Sequence, residues 1–142
     1  IIEIDEFDKS IRNIMNYGHT FGHAIETITK YNVPHGIAVG IGIAIANTFS
    51  KIKLKKSLDI KFSKIDNEFL KYNKKHVKSF FSVYNVNDYI NILSRDKKNK
   101  NNDSICCILP LALGNIQKVS LDKSYVIEEM DKVIREIYAN SV

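Results

Sequence analysis

The chain has 142 residues, 44% of them hydrophobic and 26% charged, which is enough apolar material for one packed core and too much for a disordered segment. Its net charge of +5 raises nucleic-acid binding as a class, but the lysines between Lys51 and Lys78 are scattered among aromatics (Phe62, Phe69, Tyr72, Phe80, Phe81) whose helical spacing suggests core beneath a solvated face. We expect no membrane span, since no run reaches roughly 18–20 continuous apolar residues, and no signal peptide; Cys106 and Cys107, adjacent in an apolar run, are poorly placed to pair, so a reducing cytoplasm is the simplest setting.

Taken in chain order, the periodicity predicts a first helix over about 9–30, ending before Asn32-Val33-Pro34 because residues ahead of proline avoid the α region. A second helix is expected over 36–53, where Gly36, Ala38, Gly40, Gly42, Ala44 and Ala46 form a small-residue apolar run that packs tightly. Shorter helices are predicted near 66–78 and 87–95, and 97–103 reads as a polar loop. Residues 104–109 and 115–119, flanking Pro110 and Gly114, suit a small β-hairpin-like element, and Asp122 or Ser124 would cap a last amphipathic helix to about 138. There is no internal repeat. The expectation is one mainly α domain over 1–142.

Chemistry concentrates near the start. Three of the four histidines, His19, His23 and His35, lie within one glycine-punctuated window. On the first predicted helix Arg12, Asn16, His19 and His23 fall at i, i+4, i+7 and i+11, one stripe at a 3.6-residue period, while Ile11, Ile14, Met15, Phe21, Ile25 and Ile28 fall largely to other directions and would pack. A guanidinium, an amide and two imidazoles on one face suit an anion and a divalent metal better than a hydrocarbon core. His35, following Pro34, would sit near the start of the second helix. Catalytic zinc takes three protein ligands and keeps a position open, so a histidine pair leaves one ligand to be supplied.

The run Asn16-Tyr17-Gly18-His19-Thr20-Phe21-Gly22-His23-Ala24-Ile25-Glu26, followed by His35-Gly36-Ile37-Ala38-Val39, resembles the signature of the 3-dehydroquinate synthase family of sugar-phosphate cyclases. The resemblance extends upstream to Asp5-Glu6-Phe7-Asp8 and Arg12, and downstream to Arg95-Asp96-Lys97-Lys98 and to the run from Ile108 to Gly114. It therefore covers nearly the whole chain, the lysine-rich middle least.

The resemblance implies the helical C-terminal domain of such an enzyme, with His19 and His35 as two ligands of a catalytic Zn2+ whose third ligand, a glutamate, belongs to the region upstream. By the same matching His23 and Asp8 take catalytic roles, Arg12 and Asn16 contact substrate anions, and Lys97 or Lys98 binds the substrate phosphate. The implied reaction converts 3-deoxy-D-arabino-heptulosonate 7-phosphate to 3-dehydroquinate and phosphate, a carbon-oxygen lyase step of the shikimate pathway using zinc and catalytic NAD. None of the six glycines forms a G-x-G-x-x-G turn. The family carries its NAD-binding half N-terminally, so this chain reads as a C-terminal half, inactive alone, with homodimerisation expected of the full enzyme.

Two departures stand out. Asp8 replaces the usual glutamate, and Ile37 replaces a glutamate beside His35, with the expected loss of a hydrogen bond orienting that ring. The aminocyclitol-forming branch tends to replace the amide at Asn16 and to lose the Asp96-Lys97-Lys98 run; both are kept here, which favours the shikimate-pathway member, while Ile37 leaves another sugar phosphate open. A zinc-binding domain without catalysis and a basic nucleic-acid module are the other classes; the last leaves the histidines unexplained.

Overall fold

The computed structural model describes residues 18–54, 60–95, 104–112 and 115–142. Among these residues the fold is mainly α, as expected: α1 (His19–Ile28), α2 (His35–Leu54), α3 (Ile60–Tyr72), α4 (Lys74–Val83), α5 (Val86–Ser94), a hairpin of β1 (Ser104–Ala112) and β2 (Asn115–Asp122), and α6 (Lys123–Ser141).

The second helix is the hub, because its sequence is apolar on all sides and a helix of that kind must be surrounded. Ala38, Ile41, Ala44, Ile45, Ala46 and Phe49 are all buried, each large side chain contributing about 1.5–3 kcal/mol of transfer free energy. It touches α1, α3, α6 and β1. An 18-residue stretch of it, His35–Ile52, is long and apolar enough by length and composition to cross a membrane, and half of it is buried within the fold. Asn47, Thr48, Ser50 and Lys51 interrupt that stretch, so it is not a continuous apolar run.

The crossing of α1 and α2 is backbone on backbone. A Cβ on Gly42 would overlap the carbonyl oxygen of Gly18 and stand 2.7 Å from the amide nitrogen of Gly22, and a Cβ on Gly22 would stand 2.8 Å from the carbonyl oxygen of Ala38. Gly18 is also left-handed (φ 83°), a conformation that costs an L-residue about 1–2 kcal/mol, and it occupies the N-cap of α1. The single helix predicted over 9–30 therefore does not run unbroken through Gly18. Phe21 stacks on Phe49 with ring centroids 5.7 Å apart, and the buried Tyr89 hydroxyl donates to the Phe21 carbonyl at 2.8 Å, fastening α5 to α1.

The region predicted as one helix over 66–78 is two, α3 and α4, which meet at Asn73. The interruption is polar: Asn73 bonds back to the Phe69 carbonyl through its side chain and its own N–H, both at 3.0 Å, a local bond that competes with helix continuation. Phe80 is buried, and Phe69 and Phe81 pack against the core. Tyr72, expected there, is instead 90% exposed, and Phe62 has no described side chain. Asn85 caps α5 as a side-chain acceptor for the N–H groups of Asn87 and Asp88.

The hairpin is antiparallel, with Ser104 opposite Asp122 and Cys107 opposite Val119, and its register shifts between Pro110 and Ala112. Ile105, Cys107 and Leu109 alternate into the core, so Cys106 and Cys107 point to opposite faces. Asp122 stands at the N-cap of α6 without a side-chain cap bond, a correction to its expected role. Tyr84 donates to Asp131 at 2.8 Å and Phe81 stacks on Tyr138 at 4.2 Å, holding α6 against the bundle.

Asn47 of α2 donates to Asp66 of α3 at 2.7 Å. Burial raises the Asp66 pKa above the ordinary 3.8, and the Asn47 bond offsets part of that rise. A raised carboxyl pKa means the ionised form is disfavoured in the folded state, so stability is lost as pH rises from 3.8 through the folded value. Asp66→Asn should therefore raise the melting temperature at neutral pH, the gain shrinking to nothing as pH falls below 3.8; thermal unfolding across pH measures it. Gly42→Ala should cost about 3 kcal/mol or more in denaturant unfolding, because the obstructing atoms are backbone and have no rotamer to change.

Candidate metal centre

His19 is the first residue of α1 and His35 the first of α2. The glycine-lined crossing brings these helix starts together, and the two imidazole centroids lie 5.6 Å apart with planes inclined at 59°. Two rings sharing one tetrahedral zinc at about 2.0–2.1 Å have centroids roughly 5 Å apart, so the separation of the pair is compatible with a shared ion. His19 Nδ1 is buried and has no hydrogen-bond partner among the described residues, so no described protein group uses that ring nitrogen.

His35 differs. Its Nδ1–H donates to Glu26 Oε1 at 2.8 Å, and the two side chains are 63% and 10% exposed respectively. A carboxylate only accepts, so this bond leaves Nε2 of His35 as the ring's acceptor atom. Glu26, not residue 37, thus gives the His35 ring a carboxylate partner, and Ile37 packs against the hydrophobic core. Glu26 was within reach of sequence reasoning: it lies seven residues after His19 and three after His23, on the same helical face.

The segment between Glu26 and His35 is a strained turn. Tyr31 N–H bonds to the Glu26 carbonyl at 2.7 Å and Lys30 N–H to the Thr27 carbonyl at 3.1 Å, the paired closure of a Schellman C-terminus. Such a turn needs a left-handed residue, usually glycine, yet Lys30 (φ 52°) and Tyr31 (φ 64°) both adopt it. Val33, buried to 1% exposure, pins the loop, and the Ala38 N–H to Pro34 carbonyl bond at 2.8 Å starts α2.

His23 is exposed one turn beyond His19. Asp8, Arg12, Asn16, Lys97 and Lys98 lie outside the described residues. Among the described residues no three His, Cys, Asp or Glu side chains form a group able to hold a metal; the pair offers two donors. A separate cavity of about 180 Å³, lined by Asn47, Lys51, Asp66 and Glu136 among others, lies at the other end of α2.

Fold and site together define a helical domain presenting two histidines from adjacent helix starts, one of them braced by a carboxylate. The sequence profile described as 3-dehydroquinate synthase C-terminal matches residues 1–99, and the chain belongs to that family. It is similar to the 3-dehydroquinate synthase of Clostridium tetani (strain Massachusetts / E88), 33% identical over 96% of this chain and 34% of the relative. It is also similar to those of Pelagibacter ubique (strain HTCC1062), 38% identical over 81% of the chain and 32% of the relative, and Helicobacter hepaticus, 37% identical over 82% and 32%. The chain spans about a third of the length of the curated relatives it matches.

Replacing Lys30 by glycine should relieve the left-handed strain and stabilise the domain by about 1 kcal/mol, read as a higher denaturation midpoint.

Proposed function

We propose that this chain is the metal- and substrate-binding portion of a 3-dehydroquinate synthase, a lyase that converts 3-deoxy-D-arabino-heptulosonate 7-phosphate to 3-dehydroquinate and phosphate in the shikimate pathway. The observation that carries the reading is the His19–His35 pair at 5.6 Å, with Glu26 behind His35, in a chain of this family. The remaining two thirds of the relatives' length would contribute NAD binding and the third zinc ligand, and the complete enzyme is expected to work as a cytoplasmic homodimer.

In this reading His19 and His35 hold a zinc ion, which when bound polarises the substrate hydroxyl that is transiently oxidised. The other assignments follow residue chemistry. Arg12 and Asn16 bind substrate anions, and Lys97 or Lys98 binds the phosphate, fixing the reacting centre in place. His23, exposed on the face of α1, serves as an acid-base group near the leaving phosphate. Asp8 keeps a carboxylate for proton transfer at one methylene less reach. With the orientation of His35 supported by Glu26, Ile37 is no argument against the shikimate-pathway substrate.

The test is phosphate release from 3-deoxy-D-arabino-heptulosonate 7-phosphate by the full-length protein containing this chain, with NAD and zinc. Turnover that disappears in His19→Ala and in His35→Ala is the expected result. A folded protein that binds zinc and NAD without turnover would point to another sugar phosphate or to a domain without catalysis.

A further inference from the structure

We propose that Glu26 is a positioning residue for His35: its carboxylate, by accepting from Nδ1–H, fixes the tautomer and rotation of the imidazole so that Nε2 is presented as the metal donor. The inference rests on the reading of His35 as a zinc ligand and adds a residue beyond the histidine pair.

Two observations favour positioning over stability. The first is the asymmetry of burial. The Glu26 side chain is 10% exposed, whereas its partner is 63% exposed, and His35 is its only ion-pair or hydrogen-bond partner among the described residues. Removing a carboxylate from water is costly unless its bonds are good and numerous, and a bond to a largely solvated ring offsets little of that cost. A pure core position would favour an apolar residue. The second is that both ends of the bond are held by the backbone. Glu26 is anchored through its carbonyl, which accepts from Tyr31 N–H at 2.7 Å, and His35 is anchored as the first residue of α2. The left-handed pair Lys30 and Tyr31 makes the turn tight enough for a residue nine positions earlier to meet the ring. Strain kept in a short connection between two ligating helix starts is the pattern of a pre-organised site.

The chemistry follows from imidazole itself. Neutral histidine carries one N–H and one lone pair, and the hydrogen bond made by one nitrogen decides which of them faces the metal. Without Glu26 the ring is free to rotate and to carry its proton on Nε2, which must then be displaced before an ion binds.

The experiment uses the full-length protein with zinc alone as the probe. Zinc affinity is measured by competition with a chromogenic chelator in the parent, Glu26→Gln, Glu26→Ala and His35→Ala, and the His35 tautomer is read in the metal-free protein from long-range nitrogen–proton NMR couplings. The parent should carry the His35 proton on Nδ1. Glu26→Ala should lose about 10–100-fold in zinc affinity while remaining folded, and Glu26→Gln, whose amide oxygen still accepts from Nδ1–H, should lose less. If the alanine variant does not fold, the isosteric glutamine carries the test: it is expected to bind zinc more weakly than the parent and more tightly than His35→Ala. A parent proton on Nε2, or Glu26 variants that bind zinc as the parent does while His35→Ala binds it weakly, would overturn the positioning role alone. Unchanged zinc affinity in His35→Ala would overturn the metal reading together with it.

Discussion

The contact on which the rest depends is the crossing of two helix backbones at Gly18, Gly22 and Gly42. Helices normally pack at 8–10 Å because side chains separate them; here the atoms facing one another are carbonyl oxygens, amide nitrogens and Cα atoms. That closeness serves the site directly. His19 follows Gly18 in the chain and His35 opens the helix that carries Gly42, so the separation of the two imidazoles is set by main chain rather than by flexible side chains. Side chains carried on rigid helix starts are already ordered, so a group binding to both would cost less conformational entropy.

Around that crossing the molecule arranges its polar groups sparingly. The core is apolar, and the interior hydrogen bonds that cross between elements mark places where one must be held at a fixed height on another: Tyr89 on the Phe21 carbonyl, Asn47 on Asp66, Glu26 on His35. The first supports α1 from behind, and the second docks α3 on α2. The third lies at the histidines, where a buried carboxylate meets an exposed ring. Burial of Tyr89 pushes its hydroxyl pKa up, so it remains a neutral donor and the support for α1 is insensitive to pH through the physiological range.

Much of the fold was legible because its signals are local. The apolar, small-residue run from Gly36 onward reads as a tightly packed helix and the apolar run at 104–109 as a strand, while the burial of Ile105, Cys107 and Leu109 on one face is seen only in the structure. Boundaries that depend on one polar side chain were not legible in the same way. Asn73 divides α3 from α4 by bonding to a neighbouring carbonyl, and Asp122 starts α6 without using its carboxylate. Gly18 is the instructive case: as a residue type it is compatible with a helix interior or a left-handed cap, and only its φ of 83° in the folded chain, against Ile43 and Val39 of α2, shows which is used.

The candidate site divides along the same line. The sequence by itself determined the residue types: two histidines in a family motif, a proline that starts α2 at His35, and glycines at the spacing two backbones need to touch. It also determined the family, since the resemblance around that motif extends along most of the chain. Only the tertiary structure decided that the imidazoles meet at 5.6 Å, that Ile37 turns to the core, and that Glu26 braces His35 across a strained turn. The physical reason is that composition and periodicity report what each residue can do on its own helix, whereas a histidine pair and the carboxylate beside it depend on distances between helices, and those are set by packing.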